Sequence, residues 1–317
     1  MEGKEYVLGV DVGGTKIAVG LVSRDGEIGR SRRYPMDRSD QEHTLRSIRD
    51  AIEDFMERER PQIKAIGLGL VGRVDTAGGI WSRAVNLSLF QPVPLGEELC
   101  ARYGVPVSLD NDVFSAARAE LLFGMGRQSK DFLVLNVGTG MSIGIVSGGR
   151  LVRGAGNVAG EAGHTVAGVC ERTCKCGRAG CLECFCSGGG MIERARELLP
   201  DYPKSTLASL PAGELHSVSI FAHARRGDAL AALIARDAVD GLCAGCCNLV
   251  SLLNPQWIVA AGGVFREESL IETIEDYVRK YAFSSSLMDF KGVRLSALDP
   301  AHAGLLGAGA VGWRPLE

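Results

Sequence analysis

An apolar run broken by a glycine turn occurs twice in this chain, and that repetition constrains the fold more than any other feature. Tyr6–Val10 precedes DVGGTK, then IAVGLVS and the turn RDG. Far downstream, FLVLNV (Phe132–Val137) precedes GTG, then MSIGIVS and the turn GGR. Each reads as strand, glycine turn, strand, turn. At an offset of 124 residues the two share Gly14/Gly138, Thr15/Thr139, Gly20/Gly144, Val22/Val146 and Ser23/Ser147, with Leu21 against Ile145. Unrelated glycine-rich hairpins would agree in part, but five identities at one offset point to a duplicated lobe. Helices and strands alternate around the hairpins. Asp40–Arg58 has the spaced apolar residues of an amphipathic helix. Ala65–Gly72 reads as a buried strand ending in a glycine turn, and Pro94–Gly104 as a helix between proline and glycine punctuation. VPVSLD is a strand, with Asn111 and Asp112 near the start of the next helix. Ala229–Leu253 is a long helix stopped by Asn254-Pro255, and Gln256–Ala261 a strand running into two glycines. The pattern is mixed α/β, with no linker separating independent domains.

The 317 residues, 46% hydrophobic, suffice for one large domain or two lobes. A net charge of −3 supplies no basic field toward nucleic acid or a membrane surface. No uncharged apolar run of ~18 residues appears, and MEGKEYVLGVDVGG lacks a signal-peptide apolar core. We therefore expect a cytoplasmic protein with neither nucleic-acid nor membrane partners. In a reducing compartment its ten cysteines are metal ligands or buried small hydrophobes rather than disulfides.

Glycine turns after apolar strands suit phosphate contact, because only glycine lets backbone N–H groups approach so closely. Two familiar templates fail. No G-x-x-x-x-G-K-[ST] exists. GAGAVG (Gly307–Gly312) matches G-x-G-x-x-G but lies too near the last residue for a βαβ unit, so we read it as helix packing. A third feature is metal-like. Six cysteines fall within seventeen residues, and His164, Cys174, Cys176 and Cys181 follow H-x9-C-x-C-x4-C. Gly177 and Gly180 supply tight turns, and a Cys3His set closes a tetrahedral structural zinc site. Cys170, Cys184 and Cys186 are left as buried small residues. A DNA-reading zinc finger would need a basic patch and a C-x2–4-C…H-x3–5-H spacing, and both are missing.

DVGGTK and GTG at matched repeat positions resemble the sugar kinase, Hsp70 and actin superfamily, and AAGGVF (Ala260–Phe265) resembles its adenosine-binding turn. GEAGH followed by CKCGRAGCLE is similar to the zinc signature of the ROK family of repressors, open reading frames and sugar kinases. The resemblance runs from DVGGTK through DND, GTG, EAGH and CLE to AAGG. It implies a two-lobed, duplicated ribonuclease H-like (actin-like ATPase) α/β fold, with ATP and sugar in the cleft between lobes. The lobes would be residues 1–112, completed by about 300–317, and residues 113–299, with the zinc loop at 161–186. The implied reaction moves the γ-phosphate of Mg-ATP to the 6-hydroxyl of a hexose or N-acetylhexosamine, glucose or N-acetylmannosamine foremost.

A sugar hydroxyl is a weak acid and needs a positioned carboxylate to take its proton. The resemblance makes Asp112 that base, with Gly72, Arg73, Asn86, Asn111, Glu161, His164 and Glu183 holding the sugar. It assigns Asp11, Gly13, Gly14, Thr15, Lys16, Gly138, Thr139, Gly140, Gly262 and Gly263 to ATP, with Asp11 at the Mg2+ shell. Zinc stays structural, held by His164, Cys174, Cys176 and Cys181, and the second ring nitrogen of His164 is left for the substrate. The chain departs from the family pattern in three places. Phe114 stands where a small residue is usual, which should alter packing behind the site. Val71-Gly72-Arg73 replaces the Pro-Gly-Pro of glucokinase-like members and looks more like N-acetylmannosamine kinases. The Pro-Gly-Trp-like residues after Asn86 are missing. Family repressors carry a winged-helix segment before DVGGTK, whereas five residues precede the first strand here, so catalysis is expected over a sugar-sensing regulator. The zinc loop and short length disfavour a chaperone-like or actin-like ATPase. Frequent dimers in the family imply a homodimer.

Overall fold

Alternation along β1 (Tyr6–Val12) organises the first sheet. Successive side chains point to opposite faces, so Leu8, Val10 and Val12 share one face while Val7, Gly9 and Asp11 share the other. The computed structural model describes residues 4–83, 91–166, 172–211 and 213–316, and the chain divides into two units. The first comprises Met1–Lys130, Gly149–Ala159 and Ala297–Glu317. Its strands are β1, β2 (Lys16–Ser23), β3 (Ile28–Pro35), β4 (Ile66–Leu70), a small hairpin of β5 (Arg73–Asp75) and β6 (Ile80–Arg83), and β7 (Val107–Asn111). The main sheet runs β3-β2-β1-β4-β7, antiparallel on the β2 side and parallel from β1 through β4 to β7.

Helices cover both faces of that sheet. Helix α1 (Gln41–Glu59) starts where the Asp40 side chain accepts from the His43 N–H at 2.8 Å, and ends at Arg60 in the left-handed region. With α2 (Leu95–Tyr103) it buries Ile48, Ile52, Phe55, Leu95 and Leu99 against Leu8, Val10 and Leu68. Helices α3 (Asp112–Phe123) and α9 (Ala303–Trp313) take the opposite face. Helix α9 is buried along Leu305–Trp313, and its glycines let the backbone lie on the sheet. A Cβ on Gly67 would fall 2.1 Å from the Ala308 carbonyl oxygen, and one on Gly309 would fall 2.4 Å from Val22. GAGAVG is thus a helix-packing surface, as expected. Because α3 packs on α9, it stays with the first unit. The division falls at Lys130, not at the strand-to-helix junction at Asp112. The segment 149–159, including the two-residue strand β10 (Arg150–Leu151), also belongs to this unit.

The second unit, Asp131–Gly148 and Gly160–Ser296, repeats the strand arrangement. Strands β9 (Met141–Ser147), β8 (Phe132–Val137), β11 (Trp257–Ala261) and β12 (Gly292–Leu295) lie in that order, antiparallel at β9–β8 and parallel beyond. Its core is built around α5 (Gly188–Leu198), α6 (Ser217–Arg225), α7 (Ala229–Leu253) and α8 (Ser269–Tyr281), with the short α4 (Glu183–Cys186) against α7. Register refines the repeat. Gly9 faces Gly20 in the first hairpin and Val134 faces Gly144 in the second. The second strands therefore correspond at an offset of 124 and the first strands at 125, so the first turn carries one extra residue.

Candidate functional site

In the first unit, the parallel strands bring three sequence-distant segments to one edge. Asp11 pairs with Gly69, Gly69 with Asp110, and Leu70 with Asn111. The turn after β1, the Gly72–Arg73 turn after β4 and the Asn111–Asp112 junction after β7 all leave the sheet at its carboxyl edge, where open α/β sheets bind ligands. Gly72 has φ 102°, which favours glycine. Asn111 caps α3, its Oδ1 accepting from the Phe114 N–H at 2.8 Å, which leaves its amide nitrogen for another partner. Asp112 is the exposed first residue of α3. Asp11 is mostly buried under the start of α9, where a Cβ on Gly304 would fall 2.2 Å from its carboxylate. Burial, then the Asp112 charge, push the Asp11 carboxyl up to about 6, against the pull of Arg33. Asp11, Gly13, Thr15, Lys16 and Arg33 line a concavity of about 650 Å3. Lys16 is exposed at the start of β2. Asn86 lies outside the described residues.

Sequence reasoning missed what stands behind this edge. Arg153 donates to both carboxylate oxygens of the fully buried Asp110, at 2.9 and 2.5 Å, and its guanidinium sits 4.7 Å from the centre of the Phe114 ring. Asp110 in turn accepts from the Asn111 N–H at 3.0 Å. Arg153 also donates to Asn157, whose amide donates to the Val74 carbonyl at 2.9 Å. Phe114, the departure noted above, forms the aromatic floor for this guanidinium. The ion pair links residues too far apart in sequence for any local pattern to show it.

In the second unit, the corresponding edge carries Gly138–Gly140 after β8 and Gly262–Gly263 after β11, strands that pair in parallel up to Asn136 and Ala261. Gly262 has φ 101° and approaches the Val137 carbonyl so closely that a Cβ would sit 2.4 Å from it. The first turns of α5 dock on the GTG turn, the Gly188 N–H donating to the Gly138 carbonyl at 2.8 Å and the Gly189 N–H to the Thr139 carbonyl at 3.2 Å. The Glu183 carboxylate accepts from the Met141 N–H at 2.8 Å and lies 2.7 Å from where a Gly140 Cβ would be. Glu183, expected at the sugar, is seated on the second glycine turn.

The cysteine segment forms a metal-competent cluster. The ligand atoms of His164, Cys174, Cys176 and Cys181 all lie within 4.8 Å of one another. Cys174 Sγ is 3.8 Å from His164 Nδ1, and Cys176 Sγ is 3.6 Å from Cys181 Sγ. Nδ1 thus faces the sulfurs, while Nε2 points toward the Glu161 carboxylate at 3.8 Å. Gly177 and Gly180 adopt φ 90° and 78°, the Cys174 N–H donates to the Arg178 carbonyl, and the Leu182 N–H donates to the Thr165 carbonyl. The Arg178 N–H lowers the Cys176 thiol to about 7, while burial pushes Cys181 up to about 12. A divalent cation among these donors would hold all three sulfurs as thiolates. Three soft sulfurs and one imidazole at this separation suit tetrahedral zinc. Cys184 packs beside Cys174 and Cys181. Cys186 is fully buried where a Cβ on Gly241 of α7 would meet its Sγ at 2.6 Å. Cys170 lies outside the described residues. Among those residues, no helix is long and apolar enough to cross a membrane.

Comparison with known proteins bears on all of this. The ROK family model matches residues 7–312. The chain is 31% identical over 312 residues to a glucokinase of Thermotoga maritima, covering 97% of each chain. It is 30% identical over 302 residues to an N-acetylmannosamine kinase of Salmonella typhi, covering 95% of this chain and 96% of the other. Among solved structures, a ROK family transcriptional regulator, a homolog of the E. coli MLC protein, matches with TM-score 0.86 at 25% identity, covering 98% of this chain and 78% of that one. A ROK family glucokinase from Streptomyces griseus in complex with glucose and AMPPNP matches with TM-score 0.75 at 30% identity, covering 98% and 99%. With two repeated α/β units and a family match along nearly its whole length, the chain belongs to the ROK family and has its two-lobed, actin-like fold.

Proposed function

We propose that this protein is an ATP-dependent sugar kinase that phosphorylates the 6-hydroxyl of a hexose or N-acetylhexosamine, with glucose and N-acetylmannosamine as first candidates. The observation that carries the reading is the arrival of Asp11, Gly72–Arg73 and Asn111–Asp112 at one carboxyl edge of the first sheet. Asp112 accepts the proton of the sugar 6-hydroxyl as that oxygen bonds to the γ-phosphorus and the bond to the β,γ-bridging oxygen breaks, releasing ADP. Asn111 offers its free amide nitrogen to the sugar while its carbonyl caps α3. The Gly13 and Gly138 N–H groups close the two turns, donating to the Lys16 and Gly140 carbonyls, and the N–H groups of Gly14, Thr15, Thr139 and Gly140 are offered to phosphate oxygens. Asp11, raised to about 6 beside Asp112, is a carboxylate that a cation would stabilise, and it would hold Mg2+ that neutralises phosphate charge. Glu161, Glu183 and the Nε2 of His164 orient the sugar. His164 Nδ1 and the sulfurs of Cys174, Cys176 and Cys181 would hold zinc, which would supply a structural crosslink. The relatives named glucokinase and N-acetylmannosamine kinase, and the neighbour bound to glucose and AMPPNP, support this reading.

A coupled ADP-release assay over glucose, mannose, fructose, allose, N-acetylglucosamine and N-acetylmannosamine tests it. We expect sugar-dependent turnover that falls by about 10²–10⁴ in Asp112→Asn. Full activity of that variant would remove the base assignment. A second reading, a sugar-sensing regulator without catalysis, is favoured by the match to the transcriptional regulator. Sugar binding by the zinc-loaded protein with no turnover on any of the six sugars would select it.

A further inference from the structure

The first unit carries a second concavity, of about 510 Å3, into which neither Asp11, the first glycine turn nor Asp112 projects. Arg118, Lys130, Arg150, Arg153 and Arg314 line it, with Leu121, Leu122 and Leu151. Five cationic side chains meet there, and none of the lining residues is acidic. The buried Arg118 donates through Nε to the Ala310 carbonyl at 2.8 Å, which fixes its position. Arg153 and Arg314 both face the single carboxylate of Asp110, at 2.5 and 3.9 Å. Lys130 and Arg150, at the exposed side, have no carboxylate within ion-pairing distance among the described residues.

Like charges gathered around a partly desolvated space repel, and a multiply charged anion relieves that repulsion more than water or a monovalent ion does. Guanidinium forks match the paired oxygens of a phosphate, and a lysine adds a flexible point charge. The leucines offer a wall to a carbon skeleton. We propose that this concavity binds a small metabolite carrying two or more phosphate charges. Unlike the kinase reading, the proposal needs neither ATP nor a sugar.

Inorganic pyrophosphate is the probe. Titration calorimetry at low ionic strength should show saturable binding that weakens as salt is added. The double variant K130E/R150E changes only exposed side chains, and we expect it to bind about tenfold more weakly or worse while melting like the parent. Lys16→Glu, at the first glycine turn, should leave this binding as it was. Hydrogen exchange on the unmodified protein locates the site without any variant, with pyrophosphate slowing exchange in residues 118–130 and 149–153. Equal affinity in K130E/R150E, protection confined to residues 13–16, or no saturable binding would each overturn the proposal.

Discussion

Asp11 shows how one residue carries opposed demands. Its carboxyl is raised from an ordinary 3.8 to about 6 by burial and by Asp112. The folded chain then holds the proton more tightly than the unfolded chain, so this contribution to stability is greatest below pH 3.8 and falls as pH rises through 6. In Mg2+-free buffer, Asp11→Asn should therefore be more stable than the parent at pH 7.5, by ~3 kcal/mol for a shift of this size. The gain should vanish near pH 4, and kinase turnover should be lost. Denaturant midpoints at the two pH values check this, and a gain that is equal at both would contradict the assignment. Arg153 illustrates the converse. Its pair with Asp110 is buried and bidentate, the geometry in which removing one partner strands a charge.

Elements succeed here by close backbone approach. On an exposed helix, Gly→Ala is favourable by about 1 kcal/mol. At Gly309 the new methyl would meet Val22 at 2.4 Å, inside van der Waals contact. Gly309→Ala should therefore destabilise the protein by about 1–3 kcal/mol despite its better helix propensity. A urea midpoint at or above the parent value would show that α9 has room to shift. Helix α4 uses the same device, with Gly241 and Gly245 of α7 admitting Cys186 and Leu182. This is a packing reason for a cysteine that sequence reasoning left without a role beyond burial.

At the scale of the whole molecule, each unit has its own sheet and core. Metal removal should then act locally. After stripping with a zinc chelator, residues 161–166, 172–198 and α7 should lose amide protection and sugar affinity should fall, while β1, β4 and β7 keep theirs. Equal loss of protection in those strands would show that the metal does more than brace its own unit. Much of this architecture was legible in the chain itself. Each glycine hairpin, the α7 stop at Asn254-Pro255 and the Cys3His spacing are written within one short stretch of chain, because periodicity, φ preference and ligand spacing are local properties. Tertiary structure alone decided that Asp112 lies near enough to raise Asp11, that Glu183 sits on the GTG turn, and that Arg153 clamps Asp110. It also decided that five cations share one concavity. Those contacts join segments far apart in sequence, and they depend on sheet register and on which helix face is buried. Both are set by the summed packing of the whole chain, so no short stretch of it records them.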